Sequence, residues 1–213
     1  ELAIALLLTE GSEAERAALV ARAVDAAERT ADPALVAAAR LGRRTVDLDP
    51  AEAPRRLADA DSILAGRRSA LAVETVLATQ LGRVEDLLVL GRRDDADAAV
   101  AEAASVAASY GHPYWSWAVT GWRALLAVVD GRLDDAEALA FEAHGHQAAG
   151  DHPEATAALG VQPVDVRLFQ GRAGEVVDLL AAAAAALAAD PAGRAVVALC
   201  RVEHGALRAA RRQ

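Results

Sequence analysis

Cysteine occurs once, at Cys200, lysine and methionine are absent, and all 22 basic residues are arginine. A single thiol excludes an internal disulfide and suits a reducing cytoplasm. Within the apolar stretch "AVVALCRVEHG" it reads as a buried structural thiol, because no partner that would activate it is evident. Without lysine there is no Walker A phosphate loop, and "GSEAERA" lacks its pattern. A glycine-rich dinucleotide turn, a G-x-S-x-G elbow and HExxH are also missing. No uncharged apolar run approaches the length that a bilayer-spanning helix needs. The opening run Leu2–Leu8 is too short to span a bilayer and no basic region precedes it, so neither a membrane span nor an export signal is expected. Net charge is -9, which disfavours a duplex-binding surface. The one basic run, "RAARRQ" at 208–213, reads as a solvated helix end.

Hydrophobic residues make up 54% of the 213 positions, and much of that is alanine. Alanine is the best helix former and lets helices approach closely. With aromatics at 3%, strand formers are thin, and the chain reads as all-α. A period of 40 organises it. Gly91-Arg92, Gly131-Arg132 and Gly171-Arg172 recur at that spacing, as do His112-Pro113 and His152-Pro153. Two periods before Gly91 and Pro113 stand Gly11 and Pro33. The repeat near residue 51, "PAEAPRRLADA", is degraded.

Each period holds two helical patterns. One starts at a proline, whose φ is pre-set, and stops at a glycine that closes the helix. The other follows within two or three residues, with aspartates expected at the N-cap and first turn. The pattern predicts helices at 2–9, 13–29, 33–47, 51–65, 69–90, 94–110, 113–130, 134–149, 153–170, 174–189 and 191–204, with Pro163 kinking or breaking 153–170. One hairpin alone cannot bury its apolar face, whereas stacked neighbours can. The expected architecture is an antiparallel helix-hairpin, right-handed solenoid of about five repeats. The first residue is Glu1 and both ends cut a repeat, so 1–213 reads as a single repeat domain taken from a longer protein.

Five of the seven aromatics (Tyr110, Tyr114, Trp115, Trp117, Trp122) lie in or against "GHPYWSWAVTGWRALL". At 100° per residue, Trp115, Ala118, Val119, Trp122, Leu125, Leu126 and Val129 share one face, which reads as a core stripe. Trp117, Gly121, Ala124 and Val128 form a second apolar arc. Ser116, Thr120, Arg123 and Ala127 form the narrow polar strip. Trp117, at an arc's edge near Ser116 and Arg123, is the candidate for lining a partner groove, and these three are the candidate binding residues.

Chemistry is not expected. "DDADA" (Asp94, Asp95, Asp97) has the look of an aspartate-rich magnesium motif, but its echo "DDAE" at 134–137 marks it as a helix start. His144 and His146 are two apart and point away from each other on a helix. His146 and His152 could meet only across a loop, so helix-end histidines are the simpler reading. The run at 181–190, "AAAAAALAAD", reads as small-residue helix packing. No metal or other cofactor is implied.

The segment "YGHPYWSWAVTGWRALLAVVDGRLDDAEALAFEAHGHQAAGDHPEA" resembles the C-terminal tetratricopeptide-like region of large actinobacterial signalling ATPases. The likeness lies in the Pro–aromatic–Trp start, the "WRALLAVVDGRLDDAEAL" turn and the "GDHPEA" entry, and it spans about 70–205, more weakly 1–70. The resemblance implies a nucleotide-binding module ahead of the repeats, with a LuxR-type helix-turn-helix, a nucleotide-cyclase domain or a winged-helix domain elsewhere in some members. No catalytic or nucleotide-binding residue carries over. The expectation is a cytoplasmic, non-enzymatic scaffold that regulates an attached output module by binding a ligand, a peptide or a neighbouring domain. Two other readings stay open: a stand-alone adaptor binding peptides in a concave groove, and a metal-dependent helical lyase using the aspartates.

Overall fold

The structure is a computed structural model that describes residues 13–47, 49–66, 68–148, 163, 165–172, 174–176, 198, 202 and 205. Among them every regular element is helical and no strand occurs. In chain order these are α1 (Glu13–Thr30), α2 (Pro33–Val46), a 3-10 turn (Pro50–Glu52), α3 (Ala53–Ala65), a 3-10 turn (Arg68–Ala70), α4 (Val73–Val89), α5 (Arg93–Tyr110), α6 (Pro113–Val129) and α7 (Leu133–Ala148). Residues 165–169 and 174–176 are also helical. The expected helix 2–9 and most of those at 153–170, 174–189 and 191–204 lie outside the described residues. The chain divides into two compact units, Glu1–Val119 and Thr120–Gln213.

The helix boundaries follow the punctuation in the sequence. Asp32 and Asp49 accept from Ala34 N–H and Ala51 N–H, both at 2.9 Å, with a proline next in line each time. His112 does the same less well, its Nδ1 accepting from Tyr114 N–H at 3.3 Å. The fourth helix starts at Val73, later than the expected 69, because a 3-10 turn occupies Arg68–Ala70, and no side-chain cap marks its start.

The turns repeat to within tenths of an ångström. Gly91, Gly131 and Gly171 all adopt φ near +70°. Each glycine N–H donates three residues back (to Leu88, Val128 and Leu168 at 2.9–3.0 Å). Each following arginine N–H donates five back, to Leu87, Ala127 and Arg167 at 2.8 Å. This is the Schellman closure, and its left-handed residue requires no side chain. The arginine then bonds the acid three residues on: Arg92–Asp95 at 2.7 Å, Arg132–Asp135 at 2.9 Å, Arg172–Glu175 at 2.7 Å. The expected aspartate N-cap of α5 is therefore corrected. Arg92 holds that position, and Asp94 and Asp95 fill the first turn behind it. Gly111 also has positive φ, as does Ala31, two periods earlier.

The first unit has a continuous core. α1 packs on α2, α3 on α4 and α4 on α5, and α2 reaches past α3 to touch α4. Val20 and Val24 of α1, Leu57 and Ile63 of α3, and Val76, Leu77, Leu81, Val84 and Leu87 of α4 are buried. The second helix of each period buries small residues at the same register: Ala96, Val100 and Ala103 in α5, then Ala136, Ala140 and Ala143 in α7, with Val176 opening the next set. In the second unit Ala127, Ala136 and Val166 form one apolar cluster.

The degraded repeat departs from this register by exchanging apolar contact for charge. Arg56 stands where Ala96 and Ala136 stand, and Asp86 where Leu126 and Val166 stand. Both are buried, and Arg56 Nε donates to Asp86 Oδ1 at 2.8 Å. Arg56 also caps the carbonyls of Asp47 (3.0 Å) and Asp49 (2.8 Å). Arg44 of α2 reaches Asp86 as well, and Glu85 at 2.5 Å. A Cβ at Gly82 would sit 2.5 Å from Arg44 Nε, so this glycine clears the arginine's path across α4. The pairs Glu28–Arg40 (2.9 Å) and Asp61–Arg83 (2.7 Å) add to the ties among the first four helices.

Candidate functional site

The aromatic segment forms the start of α6, where Tyr114 lies edge-on to Trp115 at 5.0 Å and tilted against Trp117 at 5.3 Å. Beside it, Tyr110 at the end of α5 stacks on His112 at 6.0 Å and its hydroxyl donates to Glu74 of α4. That bond to the ionised form holds the Glu74 carboxyl below the usual glutamate range and pushes the Tyr110 phenol up.

The three candidate residues have different surroundings. Ser116 and Trp117 fall in the first unit and are half-buried; Arg123 falls in the second and is exposed. Trp117 occupies the register of Leu77 and Ala37, both core residues. Its indole N–H is shut off from solvent and meets no acceptor among the described residues. Packing therefore accounts for most of Trp117. Arg123 occupies the register of Arg43 and Arg83, which pair with Asp59 and Asp61. Ala101 stands one period after Asp61, and Arg123 makes no ion pair among the described residues.

The expected faces of α6 are rotated. Thr120 (3%) and Ala127 (0%), assigned to the polar strip, are buried, whereas Leu125 (39%) and Val129 (56%), assigned to the core stripe, are exposed. Trp115 and Trp122 are half-buried. The helix buries its small residues Gly121, Ala124 and Ala127 together with Val119 and Leu126, because small side chains permit close backbone approach. A count of apolar positions weighted the large residues and missed this. Arg43, Arg83 and Arg123 recur at the period of the repeat.

Among the described residues no group of histidine, cysteine or carboxylate side chains could hold a metal ion. Asp95 and Asp97 are exposed and bonded by Arg92 and Arg93, the latter at 2.8 Å. His144 is exposed, and His146 lies 3.7 Å from Glu142 on its own helix. Cys200, His152 and the 208–213 run lie outside the described residues. In the second unit Glu137 gathers Arg167 (3.1 Å), Gln170 (3.3 Å) and Arg172 (2.7 Å). Burial pushes its carboxyl up, but these hydrogen bonds outweigh that and hold it below the usual range. Arg167 lies in the helix at 165–169 and Gln170 and Arg172 in the turn that closes it, so Glu137 fastens α7 to both. No described helix is long and apolar enough to cross a membrane.

No family model, curated protein or solved structure matches this chain.

Proposed function

We propose that the chain is a non-enzymatic helical-repeat scaffold of about five hairpins that binds a protein, a peptide or a neighbouring domain. We assign it to the sensor or regulatory part of an ATP-dependent transcriptional or cyclase-linked signalling protein. The observation that carries the scaffold reading is the recurrence of one turn. Gly91, Gly131 and Gly171 close their helices with the same hydrogen bonds, and the same arginine–acid pair follows each. The contact of α2 with both α3 and α4 agrees with stacking of successive hairpins. Among the described residues the charged groups that line a cleft between α1, the end of α2 and the 3-10 turn before α3, Arg43, Asp47, Asp49, Glu52 and Arg55, are engaged in ion pairs and a helix start, which favours binding over bond-making. The signalling assignment rests on the resemblance of residues 70–205.

The reading frame around this segment supplies the test. Each domain it encodes is produced separately and titrated against this chain by calorimetry, and the nucleotide turnover of any adjoining ATPase is followed on mixing. Saturable heat with at least one domain and a changed turnover are expected. A frame that encodes no further domain, or domains that ignore the chain, overturns the regulator and leaves the peptide-binding adaptor.

A further inference from the structure

In the first unit the face of α2 is short of a side chain. Positions 37, 77 and 117 share one register of the repeat and hold alanine, leucine and tryptophan. Leu77 is fully buried and Trp117 half-buried, so a large apolar group occupies that place in the later repeats. Ala37 is buried as well, at 2%, but beside its methyl lies a hollow of about 170 Å³ between the start of α2, the end of α3 and Leu71. Val36, Ala37, Ile63 and Leu71 form its apolar wall, and Arg40 and Ser62 are the polar residues in its lining. Ser62 is exposed, so the hollow opens to solvent at that end. The register of Arg40 passes to Gln80 and Thr120, which are sealed in at 1% and 3% exposure, whereas the Arg40 side chain stays 20% exposed beside the hollow.

We propose that this hollow binds a small molecule, a single neutral ring carrying one acceptor oxygen. Size sets the ring: a cavity of about 150 Å³ admits one benzene, whereas drug-sized ligands need at least about 300 Å³. The later repeats set the apolar character, since they put a leucine and an indole in this place. The polar edge sets the oxygen. Arg40 Nη1 donates to Ser62 Oγ at 3.1 Å, and that hydroxyl keeps its own hydrogen to donate to a ligand. A carboxylate suits the site less well. The guanidinium is already matched by Glu28 at 2.9 Å and lies 3.7 Å from Asp59, so a further anion would meet both acids. This site goes beyond the scaffold reading, which concerns macromolecular partners, and stands or falls separately from it.

The probes are acetophenone, toluene and benzoate, titrated into the chain and followed by calorimetry and NMR. Acetophenone is expected to half-saturate at about 1 mM or below, and toluene and benzoate to bind roughly threefold to tenfold more weakly. The bound ring should give nuclear Overhauser contacts to the methyls of Val36, Ile63 and Leu71. Ala37→Leu puts the residue of the following repeat into the hollow. It should leave circular dichroism unchanged, hold or raise the melting temperature, and abolish binding of all three probes. Ser62→Ala should bring acetophenone down to the level of toluene and leave toluene unmoved. Absence of saturation up to about 10 mM, Overhauser contacts to other methyls, or binding indifferent to Ala37→Leu overturns the proposal. So does toluene binding as tightly as acetophenone, since the hollow is then a void without selectivity. Should Ala37→Leu fail to fold, the Overhauser contacts and the Ser62→Ala ranking decide alone.

Discussion

Replacing Asp86 by valine should be among the most damaging single changes in the first unit, and its effect should largely vanish when Arg56 is changed with it. Asp86 is fully buried, and the Arg56 side chain is 5% exposed. Valine matches aspartate in size, so the lost volume is small and the lost charge decides. Arg56 would keep the carbonyls of Asp47 and Asp49 but no anion. Stranding a buried cation costs about 3–5 kcal/mol. Arg44 softens the effect little, since it is 17% exposed and retains Glu85. The double variant Arg56→Met with Asp86→Val removes both charges and fills the guanidinium's path with an apolar stem. It approaches what the chain itself does two periods on, where Ala136 packs with Val166. Its net loss should be about 1–2 kcal/mol, chiefly from the two carbonyls that lose a donor. Urea unfolding of wild type, both single variants and the double variant gives the coupling energy, expected to be at least about 2 kcal/mol. Coupling below about 0.5 kcal/mol would show that the pair does not act as a unit and would refute the reasoning.

Other outcomes follow from the turns and caps. Ala31 holds φ +54° where its counterpart two periods later is glycine, so Ala31→Gly should raise stability by about 0.5–1 kcal/mol in thermal melts, and a loss would contradict the strain. His112→Asp copies the cap at Asp32 and should add roughly 0.5 kcal/mol by the same assay; a drop would mean that the stacking on Tyr110 matters more. Trp117→Phe deletes an indole N–H without an acceptor, so the smaller ring and the relieved donor should nearly cancel, leaving urea stability within about 1 kcal/mol of wild type. Glu137 has its carboxyl held low in the folded chain, so its stabilisation is present above the usual glutamate value of about 4.3 and fades as pH falls through the lower folded value. Urea midpoints taken downward from about pH 6 should therefore fall more steeply for wild type than for Glu137→Gln, and parallel curves would refute the network's role.

Local chemistry was the legible part of this chain. Prolines at 33, 50 and 113 and glycines at 91, 111 and 131 act within a few residues of themselves, so α2, α5, α6 and α7 lie within a residue of where their punctuation puts them. Which side of α6 is buried was not legible, because that depends on what approaches it. Alanine and glycine at 121, 124 and 127 admit a closer neighbour than the bulky stripe beside them, a choice that periodicity alone cannot register. The exchange of Ala–Val for Arg56–Asp86 was hidden for a similar reason. Arg56 and Asp86 stand 30 positions apart, and only the fold brings them together. The weak repeat near 51 thus differs in the kind of contact it makes, with its place in the series unchanged. For Ser116 and Trp117, proximity on a helical wheel suggested a groove, but the core register that Trp117 shares with Leu77 describes it better. Arg123 kept its promise as a surface group because its expected partner is an alanine.

The three matching glycine–arginine corners also bear on how such a chain can change over generations. Each corner is sealed by atoms within a few residues of itself, so recombination that misaligned one corner with another would rejoin two helices through a joint already known to work. Units could be gained or lost whole, and the alanine register would resume in phase on the far side of the splice. Only at the charged exception would such an event leave a mark, by parting an arginine from the acid it needs.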